Sequence, residues 1–340
     1  MNFKTGKNGL KCIAFFQLAF ILFVSIGSAA VISEREFFEI IKSGTADQVR
    51  DVLFSGADVN AQKEIVVARE EIKINALMYA AKMNNDPEII RVLVEAGADV
   101  NSLNRRDYTP LMFAAGFNTP EVVKELIKAG ADLNAFDWYT HTPLKWAARY
   151  NEDPVVAKIL IEEGSDIGFL GAGDFSVLMV AALYNQNPEV IKLLLEEGVE
   201  INLKNLMGDT ALMVASEFND NPEVIRALIE GGADINSRSL DHFTPLMGAA
   251  INNDNAEITK VLLEAGSDVN ALELSHAHAL IWAARYNENP EVIKLLLEAG
   301  ADVTIFDEEG KSALDYAKEN ENIFGTEVYQ VLLELSSGNY

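Results

Sequence analysis

Along most of the chain the apolar residues fall into two kinds of short block, separated by polar connections. One kind is nearly continuous, as in Leu111-Met112-Phe113-Ala114-Ala115, and predicts a helix buried on most of its sides. The other has helical spacing, as in Val122, Val123, Leu126 and Ile127, and predicts an amphipathic helix with one solvated face. The boundaries of both are legible. Thr109-Pro110 offers an N-cap oxygen followed by a residue suited to the first helical position. Asn118-Thr119-Pro120-Glu121 turns the chain into the second helix, and Gly130 ends it where a left-handed residue is needed. Asp132-Leu133-Asn134 and a polar connection around residues 137–140 then lead to the next Thr142-Pro143 pair.

This two-helix unit recurs. The closing glycine stands at 97, 130, 164, 198, 232, 266 and 300, at intervals of 33 and then 34 residues, with an earlier copy at Gly56. A period of that size predicts a solenoid of units that bury their apolar faces only by stacking. All nine prolines support it, because each follows Asp, Asn or Thr, the residue types that cap helices. Glu88, Glu121, Glu189, Glu223, Glu257 and Glu291 follow in the first turn of the second helix, where a carboxylate complements the helix dipole. Much of the negative charge is therefore expected on a solvated helix face.

The Thr-Pro-Leu opening of the first helix and the Gly-Ala-Asp-Val-Asn sequence at 97–101 resemble the ankyrin repeat family, over about residues 33 to 335. The resemblance implies an all-α ankyrin repeat solenoid of antiparallel helix pairs with connecting β-hairpin loops, about nine units including caps. Residues 33–60 are expected as an N-terminal capping unit, 61–311 as tandem repeats and 312–340 as a C-terminal capping unit. One departure is systematic. The family's usual histidine in the first helix is here Met78, Met112, Lys145, Met179, Met213, Met247, Ile281 and Asp315.

Residues 1–30 differ from the rest. Lys4, Lys7 and Lys11 precede an apolar run from Cys12 to Val24, followed by Gly27, Ser28, Ala29 and Ala30. This reads as a secretory signal peptide cut after Ala30, with a periplasmic or secreted domain over 31–340. The rival is an uncleaved anchor holding a membrane-tethered scaffold, but the apolar run is short for a bilayer core that needs about 20 residues. The single cysteine would leave with the signal, so no disulfide is expected. The formal charge of the full chain is already −25, and losing three lysines makes the remainder more acidic. Such a protein should repel nucleic acid and anionic membrane, and is expected as a monomer.

Under the resemblance, the partner is another protein, held on a concave surface lined by the hairpins and the exposed side of the first helices. Carried onto this chain, and chosen for large apolar, aromatic or arginine side chains in otherwise polar turns, the expected contacts begin with Arg105, Arg106, Tyr108, Trp138, Tyr139 and His141. Arg149, Leu206, Met207, Leu240, Phe243 and Arg285 complete the set. A second ladder of Met83, Phe117, Tyr150, Tyr184, Phe218, Asn252 and Tyr286, at the end of each first helix, is expected to stack between units. The connection Lys63 to Ile74 is longer than the others and reads as an extended β-hairpin, either a binding element or a tolerated insertion, whose removal should leave the helices intact.

Catalytic chemistry is not expected, and neither is a cofactor. Gly168, Gly171 and Gly173 have the wrong order for a dinucleotide loop. His242, His276 and His278 lie in adjacent units and could share a metal ion with Asp241 or Glu273 only if they converged. The function expected is a non-catalytic interaction scaffold outside the cytoplasm, with a secreted effector of a host protein and a metal-dependent enzyme as alternatives.

Overall fold

Every proline in the chain opens a helix at its first position. The computed structural model describes residues 32–67 and 69–337; the expected signal segment lies outside them. Among the described residues eighteen helices form nine antiparallel pairs. Unit 1 is α1 (Glu34–Ser43) with α2 (Ala46–Phe54), and unit 2 is α3 (Ala76–Met83) with α4 (Pro87–Glu95). Units 3 to 5 are α5 (Pro110–Phe117) with α6 (Pro120–Lys128), α7 (Pro143–Tyr150) with α8 (Pro154–Glu162), and α9 (Val177–Tyr184) with α10 (Pro188–Glu196). Units 6 to 8 are α11 (Ala211–Phe218) with α12 (Pro222–Glu230), α13 (Pro245–Asn252) with α14 (Ala256–Glu264), and α15 (Ala279–Tyr286) with α16 (Pro290–Glu298). Unit 9 is α17 (Ala313–Ala317) with α18 (Glu327–Ser336). No helix among these residues is long and apolar enough to cross a membrane.

The expected caps form. Thr109 Oγ1 accepts the Met112 N–H at 3.2 Å, and Ser176, Thr210 and Thr244 repeat the bond. Gly130 takes a φ of 92°. Six of the nine first helices carry an Ala-Ala pair, and first helices pack against one another more closely than second helices do, forming the inner face of the stack. One continuous apolar core runs along it, from Phe37 in unit 1 to Leu332 in unit 9.

Among the described residues only the first connection forms paired strands. β1 (Gln62–Val67) and β2 (Glu70–Asn75) are antiparallel with Ile65 opposite Ile72. The later connections are tight turns, each closed by two backbone bonds, such as Asp137 N–H to His141 O at 3.1 Å with Thr140 N–H to Asp137 O at 2.7 Å, or Asn205 N–H to Asp209 O at 3.0 Å with Gly208 N–H to Asn205 O at 2.9 Å. Adjacent turns are tied edge to edge, as by Leu240 N–H to Met207 O at 2.9 Å. Each turn needs a left-handed residue at its tip, supplied by Asp107, Thr140, Asp174, His242 and His276, and by glycine at 208 and 310.

Two expectations need correction. The strand pair is not a detachable protrusion: Val67, Ile72 and Ile74 are buried, and the Lys63 ammonium sits 4.6 Å from the Tyr79 ring centre. The ladder at the ends of the first helices stacks only in units 3 and 4, where the Phe117 and Tyr150 rings are 5.1 Å apart. Phe218 is half-exposed, while Tyr184 is covered on one side by the Arg149 guanidinium of the preceding unit and Tyr286 stacks on Trp282 of its own helix.

A candidate binding cleft on the inner face

Between the turns and first helices of units 3 to 5 lies a cleft of about 560 Å³. Its anchor is Asp137, which is almost wholly buried. Oδ1 of Asp137 accepts the backbone N–H groups of Tyr139 and His141 at 2.9 and 2.8 Å, and Oδ2 accepts the Trp146 indole N–H at 3.0 Å. Burial pushes its carboxyl up, but the bonds from His141 and Trp146 prevail and hold it below the ordinary aspartate range. Asn104, Asn205 and Asp307 make the same turn-closing bonds in other units, so this geometry is the general turn of the fold.

Lys145 is what sets this unit apart. It occupies the position of Met112 and Met179 and is only 2 % exposed. Its ammonium donates to Phe175 O at 2.7 Å and lies 5.0 Å from the Phe169 ring centre. Burial pushes its pKa down to about 8, with Asp137 pulling the other way. Room for the ammonium comes from Gly171, where a Cβ would stand 2.8 Å from Nζ. Other units carry Asn104, Asp137, Asn205, Ser239, Glu273 and Asp307 at that position.

Arg149, one turn further along α7, has its guanidinium carbon 3.9 Å from the Tyr184 ring centre and 4.9 Å from that of Tyr150. Its Nε is buried with no hydrogen-bond partner. At the rim stands Trp138, 61 % exposed, with the Arg106 guanidinium 4.9 Å from its ring centre. Arg106 is in turn paired with Glu70 of β2 at 2.7 Å. Tyr139 is half-exposed and stacked on His141.

The cleft thus brings together Arg106, Trp138, Tyr139, His141 and Arg149 from the residues singled out in the sequence. Tyr108 also lines the cleft, as a buried wall and not an exposed rim residue: it is 6 % exposed, with its ring 4.8 Å from Trp146 and 6.0 Å from Phe113. Burial raises its hydroxyl pKa to about 12. The remaining residues lie apart. Arg105 is exposed and forms no ion pair among the described residues. Leu206, Met207 and Leu240 form an exposed apolar ridge on the turn tips of units 6 and 7. Phe243 is half-buried against Trp282, 5.4 Å between ring centres. Arg285 belongs to the C-terminal end, bonded to the Tyr316 hydroxyl at 3.2 Å.

Lys145, Asp137, Trp146 and Tyr184 are cleft residues that turn composition alone did not point to. Two signals were present: a lysine in a series of methionines, and a glycine at 171 in a series of polar turn anchors. The histidines do not converge. His242 and His276 are exposed turn tips, whereas His278 is buried at the N-cap of α15 with Nε2 3.0 Å from Asp302 O. No group of three or more potential ligands from His, Cys, Asp and Glu is assembled among the described residues.

Family models described as ankyrin repeats (3 copies) match residues 38–137, 77–170 and 178–273, and one described as ankyrin repeats (many copies) matches residues 266–317. No curated protein matches the chain at a significant level. With most of its length matched and nine stacked helix pairs of the corresponding design, the chain belongs to the ankyrin repeat family.

Proposed function

We propose that the protein is a non-catalytic scaffold that acts outside the cytoplasm and holds a partner protein on its inner face, centred on the cleft of units 3 to 5. Ankyrin repeats support an interaction scaffold in general, and the family is generally non-catalytic. The observation that carries the finer reading is the exposed aromatic rim, Trp138 with Tyr139 and Tyr184, around a concave site. Solvent-exposed aromatics at a concavity are what binding hot spots are made of. The basic and apolar character of residues 1–30 supports export.

A photo-crosslinking residue placed at 138 in the native host tests this, with the same residue at exposed Val155 on the second-helix side as control. A protein captured at 138 and not at 155 is the expected result. Its affinity should fall by about 2 kcal/mol or more when Trp138 or Arg106 becomes alanine, the range of hot-spot anchors. Equal capture at both positions, or unchanged affinity in folded variants, removes this face from consideration. N-terminal sequencing of protein from native cells is expected to begin at Val31; a chain beginning at Met1 contradicts secretion.

A further inference from the structure

Unit 8 repeats the inner-helix sequence of unit 4: Trp146-Ala147-Ala148-Arg149-Tyr150-Asn151-Glu152 recurs unchanged at Trp282-Ala283-Ala284-Arg285-Tyr286-Asn287-Glu288. The two arginines therefore have the same backbone setting and different surroundings. Arg285 is answered from the following unit: its Nη1 bonds to the Tyr316 hydroxyl at 3.2 Å and lies 3.9 Å from Glu309. Four units earlier those positions are Val180 and Gly173. Arg149 accordingly has no ion pair and no side-chain hydrogen bond among the described residues, and its Nε is buried without a partner.

The charges beside it are distributed to the same effect. Asp137 is engaged by the Trp146 indole and by backbone N–H groups, and Glu70 is paired with Arg106. Lys145 has one acceptor, a backbone carbonyl that carries no charge, for the three donors of an ammonium. On a molecule of formal charge −25, this cleft holds its acids engaged and two cations without an ion pair among the described residues, four residues apart on one face of α7. A guanidinium within 3.9 and 4.9 Å of two tyrosine ring centres is restrained by them and leaves its donor fork available to a planar carboxylate.

We infer that the cleft receives a segment of the partner protein bearing an aspartate or glutamate beside an apolar side chain, with the carboxylate clamped by Arg149 in the field of Lys145 and the apolar group laid against Trp138 and Tyr184. This rests on the cleft being the partner site and adds the chemistry of what enters it. Charge complementarity selects the occupant. A basic segment would face the like charges of Arg149 and Lys145, and a purely apolar one would bury the Arg149 guanidinium without an acceptor.

The experiment is selection of a random 12-residue peptide library, displayed on phage, against the full chain, followed by titration of the enriched peptides as synthetic probes. Enriched peptides are expected to carry Asp or Glu next to an aliphatic or aromatic residue. Their Kd should rise tenfold or more on Arg149→Ala and on Lys145→Met. Exchanging the peptide's own acid for its amide should cost as much on the unaltered protein, an arm that needs no variant to fold. Peptides lacking an acid, peptides that tolerate both exchanges, or no enrichment at all overturn the inference. The cleft itself is tested separately by Trp138→Ala. Peptides sensitive to that change but not to Arg149→Ala leave the cleft as the site and reject the carboxylate, whereas insensitivity to both rejects the cleft as well.

Discussion

The side-chain amide of Asn219 donates to the backbone carbonyl of Asn185, one unit earlier, at 2.9 Å. It donates also to Ala182 O at 2.8 Å, while its own oxygen accepts the Asn221 N–H at 2.9 Å. Asn185 makes the equivalent bonds to unit 4, and Asn253 and Asn287 extend them toward the C-terminus. Helix ends leave carbonyls without intrahelical partners. Here the orphaned carbonyls of each first helix are satisfied by an asparagine of the next unit, so the ladder fastens the units by the same groups that terminate their helices.

Asn219 is fully buried, so removing its amide strands two carbonyls and an N–H away from water. Asn219→Ala should cost about 3 kcal/mol, from bonds of about 1 kcal/mol each and the penalty of unsatisfied buried groups. Asn219→Asp should be no better, since a carboxylate has no donor for the two carbonyls. Urea unfolding followed by circular dichroism measures both; a loss below about 1 kcal/mol would show that water replaces the amide.

Because extensive packing is confined to neighbouring units, stability should be divisible along the array. Leu178 and Leu212 are fully buried on first helices. Leu178→Asp or Leu212→Asp should give more than one unfolding transition in urea, with the unit furthest from the substitution still helical after the first. A single loss of all helical signal at one midpoint would contradict this.

The helices were readable because their signals are local: a capping residue, a proline and a closing glycine at fixed spacing. Asn84, Asn118, Asn151, Asn185 and Asn219 were equally regular, yet an asparagine in a turn reads as a solvated residue until its partners one unit earlier, 34 and 37 positions away for Asn219, are known. The cleft divided the same way. Trp138 and Arg149 stand out by residue type, but Lys145 becomes informative only beside Gly171 and Phe175, which the turn of the next unit delivers. Tyr108 reads as an exposed rim residue for want of the ring of Trp146, 4.8 Å away, which makes it a buried wall of the cleft.

The strand pair is bound into units 1 and 2, and its removal is no longer expected to be silent. Ile74 is buried, and Ile74→Ala should cost about 2–4 kcal/mol as a large-to-small core change. Hydrogen exchange should show protection lost over residues 34–95 and kept over residues 245–298, since the damage stays near its origin. Deletion of residues 63–74 should unfold unit 1. Full retention of helical signal in the deletion would restore the view of an inserted loop.

Lys145 places a cost in the folded state whose pH dependence has a definite sign. Its pKa is lowered from 10.5 to about 8 by burial, against the pull of Asp137. Between pH 8 and 10.5 the unfolded chain binds the proton that the folded chain has released, so folding is favoured increasingly as pH rises through that window, and the penalty is fully present below it. At about 1.4 kcal/mol per pKa unit the penalty at pH 7 is about 3 kcal/mol. Lys145→Met installs the residue found at Met112 and Met179, removing the charge but also the donor to Phe175 O, worth about 1 kcal/mol. The variant should therefore be more stable than the natural protein by about 2 kcal/mol at pH 7, with the difference narrowing toward pH 10.5. Comparing the two chains cancels tyrosine ionisation, which both share. Denaturant midpoints at pH 7 and pH 10 decide the matter: a variant that is less stable at pH 7, or a gap that does not narrow, would mean that the ammonium is solvated and bears no strain. A stabilising exchange that also weakens binding is the behaviour expected of a residue kept for its ligand rather than for the fold.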